Sequence, residues 1–291
     1  MNLSDRWQHL EHQQGIGLAI MAVAFFSTSP VFIRWAAPLS ASEITAWRML
    51  IGAFSVGLLA LGSRQSLRLP VSHWRKFVLF GLIAAVHFLA YNAALSYTTI
   101  AHALTILYTA PAFVALLSAA VLGESLSRRK WLGIAVVVAG IAVLAGFEPR
   151  LTPRMLLGNG LALLSAVMLA LYSVVGRSQR TRYPLLTYAF GVYLIAALWT
   201  APVALVDFTP DGYGRRQVFS LLGLGVLPLG LGHTLYNAAV RRIQATYANL
   251  ITSQEVTGGI LLGALLLGEI PGPTAIGGVG MTLAGIALVL M

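Results

Sequence analysis

The chain has 291 residues, of which 58% are apolar and only 10% charged, and its formal net charge is +10. An ordinary soluble domain carries about 25% charged residues, so this composition excludes one. There is no cysteine, which excludes disulfides, iron–sulfur clusters and thiol nucleophiles.

Runs of about 20 apolar residues, enough for one helix to cross a bilayer core, recur along the whole chain. Residues 1–14 are polar and read as a cytoplasmic N-terminal segment. The run that follows is too long for a signal-peptide core and has no A-x-A site, so it is expected to be retained. The first span is 15–36, with a possible break at STSP (27–30). The second, 40–62, carries Arg48, expected to reach the interface or to pair locally with Glu43. The third, 76–95, holds His87, Tyr91 and Asn92. The fourth, 98–122, holds His102, Thr105, Tyr108 and Pro111, and the fifth is 129–146. A linker at 147–153, inside FEPRLTPR, leads to spans at 154–176 and 184–206. The eighth, 217–240, holds LPLG (227–230), His233, Tyr236 and Asn237; the ninth, 243–267, holds Glu255. IPGP (270–273) precedes the tenth, 272–290, and the tightest connections are at 95–98 and 240–243. The expected fold class is all-α: a polytopic membrane protein of ten transmembrane helices.

The chain repeats itself. YNAA at Tyr91–Ala94 returns at Tyr236–Ala239, and sliding 91–145 onto 236–290 without a gap matches 17 of 55 positions. LGE recurs at Leu122–Glu124 and Leu267–Glu269, and AGIA at Ala139–Ala142 and Ala284–Ala287. At an offset of 143, GIGLA at 15 pairs with GNGLA at 158, and Arg34 with Arg177. The expected units are 15–146 and 154–291. Each has five spans, an odd number, so the second starts on the side where the first ends and the two are inverted. Inverted repeats around a midplane site are the architecture of many secondary transporters. With the N-terminus inside, inner segments hold 13 Arg and Lys and outer segments 5. That bias places both termini in the cytoplasm and accounts for the basic charge without a nucleic-acid partner.

The ten-helix duplication, YTAPAFVALLSAAVLGESLS at 108–127, the Arg in ITAWRMLIGA at 44–53 and the Gly-rich closing helices carry a resemblance. The sequence resembles the drug/metabolite transporter superfamily, in chains with tandem EamA-type repeats, and is most similar to YddG-like exporters of aromatic amino acids. The resemblance implies a multi-pass protein of the bacterial inner membrane, exporting small metabolites from a cavity lined by spans one, three, four, six, eight and nine. Arg48 pairs with Gly191 and Pro111 with Val256 across the repeat, so the halves are not chemically equivalent.

Ionisable residues within a bilayer cost about 2.5–3.5 kcal/mol at a helix centre and normally face a cavity or a partner. Glu255 reads either as a partner for a substrate ammonium or proton, or as a helix cap. His87 with Tyr91, and His233 with Tyr236, form similar patches that can stack on an aromatic substrate. Asn92 and Asn237 can hold a substrate or bond neighbouring helices. Pro111 frees the carbonyl of Leu107, which makes adjacent Tyr108 a lining candidate. Gly259 and Gly263 read as helix-packing residues, and Glu124 and Glu269 as cap or loop anchors. The expected substrate-binding set is His87, Tyr91, Asn92, Tyr108, His233, Tyr236, Asn237 and Glu255.

The expected function is a carrier of aromatic amino acids, or of other flat or cationic metabolites, that rocks one five-helix unit against the other. No metal or other cofactor is expected, and the partners are the substrate and the bilayer; monomer and homodimer both stay open. A broader drug or amino-acid exporter is the alternative, and a channel is a further rival that would conduct without saturating. An enzyme is disfavoured, since H-E-x-x-H and G-x-S-x-G are both missing.

Overall fold

Long apolar runs leave the backbone one local way to satisfy its amides in hydrocarbon, the α-helix. The computed structural model describes residues 3–69, 71–124, 126–145, 152–270 and 274–290, and these contain no strand. The expected linker at 147–153 and the Pro-Gly-Pro of the last turn fall almost entirely outside the described residues.

The first span is α1 (Leu3–Phe26) and α2 (Ser29–Trp35), the second α3 (Ala41–Gly62) and the third α4 (Trp74–Tyr97). The fourth is α5 (Ile100–Leu107) and α6 (Ala110–Leu122), the fifth α7 (Arg128–Ala145). The sixth is α8 (Pro153–Ser178) and the seventh α9 (Leu185–Val206). The eighth joins α10 (Arg215–Leu224), a π-helical stretch (Gly225–His233) and α11 (Thr234–Arg242). The ninth is α12 (Ala245–Thr252) and α13 (Glu255–Leu267), the tenth α14 (Ala275–Leu290). Eight of these are long and apolar enough to cross a membrane, and the 18-residue α7 and 16-residue α14 complete the ten. The polar opening segment is helical from Leu3, because its Gln, Glu, Arg and Leu residues are good helix formers.

The repeat is visible in the packing. The third span packs on the sixth, and their counterparts, the eighth and the first, pack on each other. The second and seventh, fourth and ninth, and fifth and tenth spans each pack on their own counterpart. In the last pair a Cβ on Gly140 would lie 2.7 Å from the Thr282 amide, and one on Gly285 2.7 Å from the Val137 amide. Gly140 answers to Gly285 and Val137 to Thr282 at the offset of 145. The contact is therefore its own mirror, and the two helices run antiparallel, as inversion requires. Because the units interlock in this way, rocking one entire unit would break most helix contacts.

The end of the bundle where α1 begins is called the N-terminal face here, and the other the opposite face. Each face carries one copy of a latch. Gly123 (φ +68°) and Gly268 (φ +72°) close α6 and α13 in the left-handed region that glycine tolerates. The following Glu124 and Glu269 amides reach six residues back to the Ser118 and Gly263 carbonyls, each at 3.2 Å, so each helix end closes on itself. The caps aim the glutamates at the Arg pair. At the N-terminal face Arg177 Nε meets Glu124 Oε1 at 2.9 Å while Nη1 donates to the Val240 carbonyl at 3.1 Å. At the opposite face Arg34 Nε meets Glu269 Oε1 at 3.3 Å while Nη1 donates to Leu95 at 2.6 Å. Leu95 and Val240 are themselves counterparts. Among the described residues these are the only two ion pairs.

Gly140→Ala and Gly285→Ala should each lower the thermal stability of the purified protein by the equivalent of about 1–3 kcal/mol through overpacking. Gly17→Ala, where nothing lies within 4 Å of the added methyl, should be neutral or stabilising by up to about 1 kcal/mol. Equal effects at all three positions would contradict the tight antiparallel contact.

Candidate functional site

Four spans lose regular α-helical geometry partway along, and the irregularities gather around one cavity. The first breaks at Ser27–Thr28, the fourth at Tyr108–Thr109, the ninth at Ser253–Gln254, and the eighth widens into its π stretch around Pro228. Pro30 and Pro111 sit in the opening turn of α2 and α6, where the missing N–H costs nothing. A break frees carbonyls, and at each one a hydroxyl donates to the carbonyl three residues back. Thr28 bonds Phe25 at 2.7 Å, Thr109 bonds Ile106 at 2.8 Å and Ser253 bonds Leu250 at 2.6 Å. The ninth span thus breaks without a proline: position 256 is Val, yet the break falls where the repeat puts it.

The cavity between these breaks has a volume of about 20 Å³, room for about one water. Glu255, 6% exposed, is the first residue of α13, where the helix N-terminus favours negative charge. Its Oε1 accepts the Tyr91 hydroxyl at 3.2 Å and its Oε2 accepts the Tyr108 hydroxyl in a short bond. On the same cavity wall stands Arg48, 1% exposed. Its Nη1 donates to Ser29 Oγ at 3.1 Å, and its guanidinium lies 4.6 Å from the Phe88 ring centroid.

Aromatic rings close the rest. His233 packs 4.4 Å from Phe26 and 4.8 Å from Phe88, centroid to centroid, with Tyr172 and Tyr236 about it at 5.8 and 6.2 Å. Its Nδ1 is buried with no partner. His87, 6.4 Å from His233, is tied to the sixth span through Nδ1 and Ser165 Oγ at 2.9 Å. Ser165 Oγ also lies 3.0 Å from the His87 carbonyl.

Of the residues singled out in the sequence, His87, Tyr91, Tyr108, His233, Tyr236 and Glu255 border the cavity. Asn92 and Asn237 stand behind its wall as cross-links. Asn92 Nδ2 donates to Thr45 Oγ1 at 2.8 Å, and Asn237 Nδ2 to the hydroxyls of Tyr172 at 2.6 Å and Tyr193 at 3.3 Å. Arg48 departs from its expected local pairing. Glu43 is taken instead by the Ser40 amide, by Thr209 and by the Tyr213 hydroxyl at 2.8 Å, which pins the start of α3 to the loop after α9. Arg48 adds the second span to the lining, and Phe26, Phe88, Leu107, Leu169 and Thr252 join it. The signal for Arg48 lies in its own helix. Trp47, Leu50, Phe54, Leu58 and Leu61 form one exposed apolar stripe of α3, which turns Arg48 and Gly52 inward.

The sequence profile of the EamA-like transporter family matches residues 13–146 and again 156–291. The chain belongs to this family. The EamA-like transporter is 28% identical over 280 residues to the pseudopaline exporter CntI of Pseudomonas aeruginosa (strain UCBPP-PA14), covering 95% of this chain and 96% of that one. It is 28% identical over 188 residues to a protein of Streptantibioticus cattleyicolor described as a probable terminal-alkyne amino-acid exporter, covering 62% and 60%. One solved structure superposes with a TM-score of 0.80 at 22% identity, over 95% of this chain and 96% of its own, and so shares the fold. The family is one of transporters, which removes the enzyme reading.

In the EamA-like transporter, Asn92→Ala and Asn237→Ala should each lower thermal stability by about 0.6–2 kcal/mol and leave the transport KM within twofold. Glu255→Gln should instead raise KM at least tenfold with little loss of stability. An asparagine variant that shifts KM as Glu255→Gln does would move that residue from the wall to the site.

Proposed function

We propose that this transporter exports aromatic amino acids from the bacterial cytoplasm by alternating access. Its N-terminal face would be cytoplasmic, on the bias of Arg and Lys toward that side. The observation that carries the reading is the central cavity: one carboxylate, Glu255, held among Tyr91, Tyr108, Tyr236 and Phe26. The carboxylate suits an ammonium, and the rings suit a flat side chain through stacking and cation–π attraction. The exporter relatives support amino-acid-like substrates.

The latches supply the alternation. Half-helix α6 runs from the Tyr108 break to the N-terminal face and is held there by Glu124 and Arg177. Half-helix α13 runs from Glu255 to the opposite face and is held there by Glu269 and Arg34. In this structure both ion pairs are formed and the cavity is water-sized, the arrangement that an occluded state of the proposed cycle would need. The Tyr108–Glu255 bond joins the two hinges directly. An ammonium arriving at Glu255 competes with that bond, so substrate loosens one hinge from the other. Each half-helix can then swing in turn, which moves less of the interlocked bundle than rocking either unit whole.

Two measurements test this. Proteoliposomes loaded with radiolabelled phenylalanine, tyrosine or tryptophan should show saturable efflux that exceeds efflux from empty liposomes. Efflux confined to non-aromatic amino acids would remove the aromatic claim, and efflux that never saturates would make the protein a channel. Single-cysteine reporters are clean because the chain has none of its own. With Leu107→Cys as reporter, Glu124→Gln should raise labelling from the N-terminal face about threefold or more, and Glu269→Gln labelling from the opposite face. The first effect should be the larger. The Arg177–Glu124 pair has side chains only 12% and 15% exposed, against 30% and 39% for Arg34–Glu269, and exposed pairs contribute little. Identical profiles for the two variants would overturn the gating scheme.

A further inference from the structure

We infer that Arg48 anchors the carboxylate of the transported compound, so that the site selects molecules bearing both an amino and a carboxylate group over simple amines. The inference rests on the amino-acid export reading above and deepens it.

Three observations lead there. First, Arg48 is buried on the cavity wall with its hydrogen-bonding capacity largely unspent. A guanidinium carries five N–H donors in a planar fork, and among the described residues one bond is made here, to the neutral Ser29 hydroxyl, while the buried Nε has no partner there. The guanidinium carbon sits over the Phe88 ring, 4.6 Å from its centroid. Second, among the described residues no carboxylate lies within ion-pair distance of it, although Glu255 on the same cavity attracts it through space. The two ion pairs among the described residues lie at the bundle ends, Glu43 is engaged elsewhere, and Glu255 accepts tyrosine hydroxyls instead. A cation and an anion thus border one cavity without pairing, a net-neutral arrangement complementary to a zwitterion. A guanidinium fork matches a carboxylate bidentately.

Third, the repeat shows what the scaffold itself requires. The position answering to Arg48 in the second unit is Gly191, and that answering to Glu255 in the first is Ala110. Both are buried: Gly191 packs against Phe77 and Leu69, and Ala110 has no exposed surface. The same helix crossings are therefore built without either charge. An ionised group at membrane depth that the architecture does not need is functional by default.

The test is counterflow in proteoliposomes of the wild-type protein with matched pairs: phenylalanine and 2-phenylethylamine, tryptophan and tryptamine, leucine and isoamylamine, lysine and cadaverine. Whichever amino acid is taken up, its decarboxylated partner should be taken up at least about tenfold less, the factor carried by 1.4 kcal/mol. In Arg48→Gln the two members of a pair should fall within about threefold of each other, while Arg48→Lys should keep part of the preference as a point charge. Wild type that moves amines as well as amino acids overturns the anchor, and so does Arg48→Gln that keeps the preference. Should Arg48→Gln fail to fold, the wild-type ratios and Arg48→Lys decide, and a lysine variant with full preference and unchanged KM counts against bidentate anchoring. Preference confined to the leucine and lysine pairs keeps the anchor and removes the aromatic reading. Uptake of no pair at all removes both.

Discussion

The carboxylate of Glu255, accepting hydroxyls from Tyr91 and Tyr108 at the middle of the bundle, is the interaction on which the rest of the molecule turns. Hydrocarbon permits neither a free carbonyl nor an unaccompanied charge. A helix broken inside a membrane must therefore bring polar groups with it, and several breaks do best where they share them. That constraint collects the interruptions of spans one, four, eight and nine around a single point. It also explains why the breaks carry Ser and Thr, whose hydroxyls bond the carbonyls that the broken helices release. Fold and site are consequences of one requirement: the irregular backbone that makes a cavity also needs its polar lining.

Duplication divides this chain into what is copied and what is not. The copied features are mechanical: the Gly123 and Gly268 caps, the Glu124–Arg177 and Glu269–Arg34 latches, the Gly140 and Gly285 crossing, and the breaks at 108–109 and 253–254. The uncopied features are chemical. Arg48 faces Gly191 across the repeat, Glu255 faces Ala110, His87 faces Gly232, and Phe88 faces His233. The last pair meets ring to ring at 4.8 Å near the pseudo-twofold. A symmetric frame gives two equivalent gates, whereas recognition of an asymmetric small molecule needs different groups on each side of it. Both demands are met by duplicating the frame and diverging at its centre.

Much of the fold was legible in the sequence because hydropathy and inversion are strong signals. Apolar run length gave the spans to within a few residues, except that the first helix extends back to Leu3, and the parity of five spans gave the inversion. Pro30, Pro111 and Pro228 announced three of the irregularities, since proline removes a helix hydrogen bond, although Pro202 sits inside α9 without ending it. The break at Ser253–Gln254 carries no such mark; its signal was the repeat offset, which points from Tyr108 to Ser253. Asn92 and Asn237 left two readings open in the sequence, substrate contact or helix cross-link. Being identical at matched positions, they belong to the copied frame, and the structure puts them in helix cross-links. Arg48 was hidden for the converse reason. An arginine one turn from Glu43 invites a local pair, and only packing shows Glu43 consumed by Thr209 and Tyr213. The interlocking of the two units was not legible at all, because periodicity identifies a helix face without naming its neighbour.

The water-sized cavity bears on how binding and movement are connected. His233 already packs against a tilted Phe26 and edge-on against Phe88, so an aromatic side chain entering the site, as proposed, would exchange ring contacts for ring contacts and gain little from burial alone. Charge behaves differently. Without substrate, Glu255 meets only hydroxyls and Arg48 only Ser29 and the face of Phe88, and an ammonium and a carboxylate improve on both in a water-poor site. On the proposed reading, the selective part of the binding energy would fall at Glu255 and Arg48. Glu255 is itself the first residue of α13 and is bonded to Tyr108 at the break of the fourth span. In the proposed scheme recognition and release of the gates would thus share one atom group, and a ligand that filled the aromatic space without engaging that carboxylate would have no means of favouring an open state over the closed one.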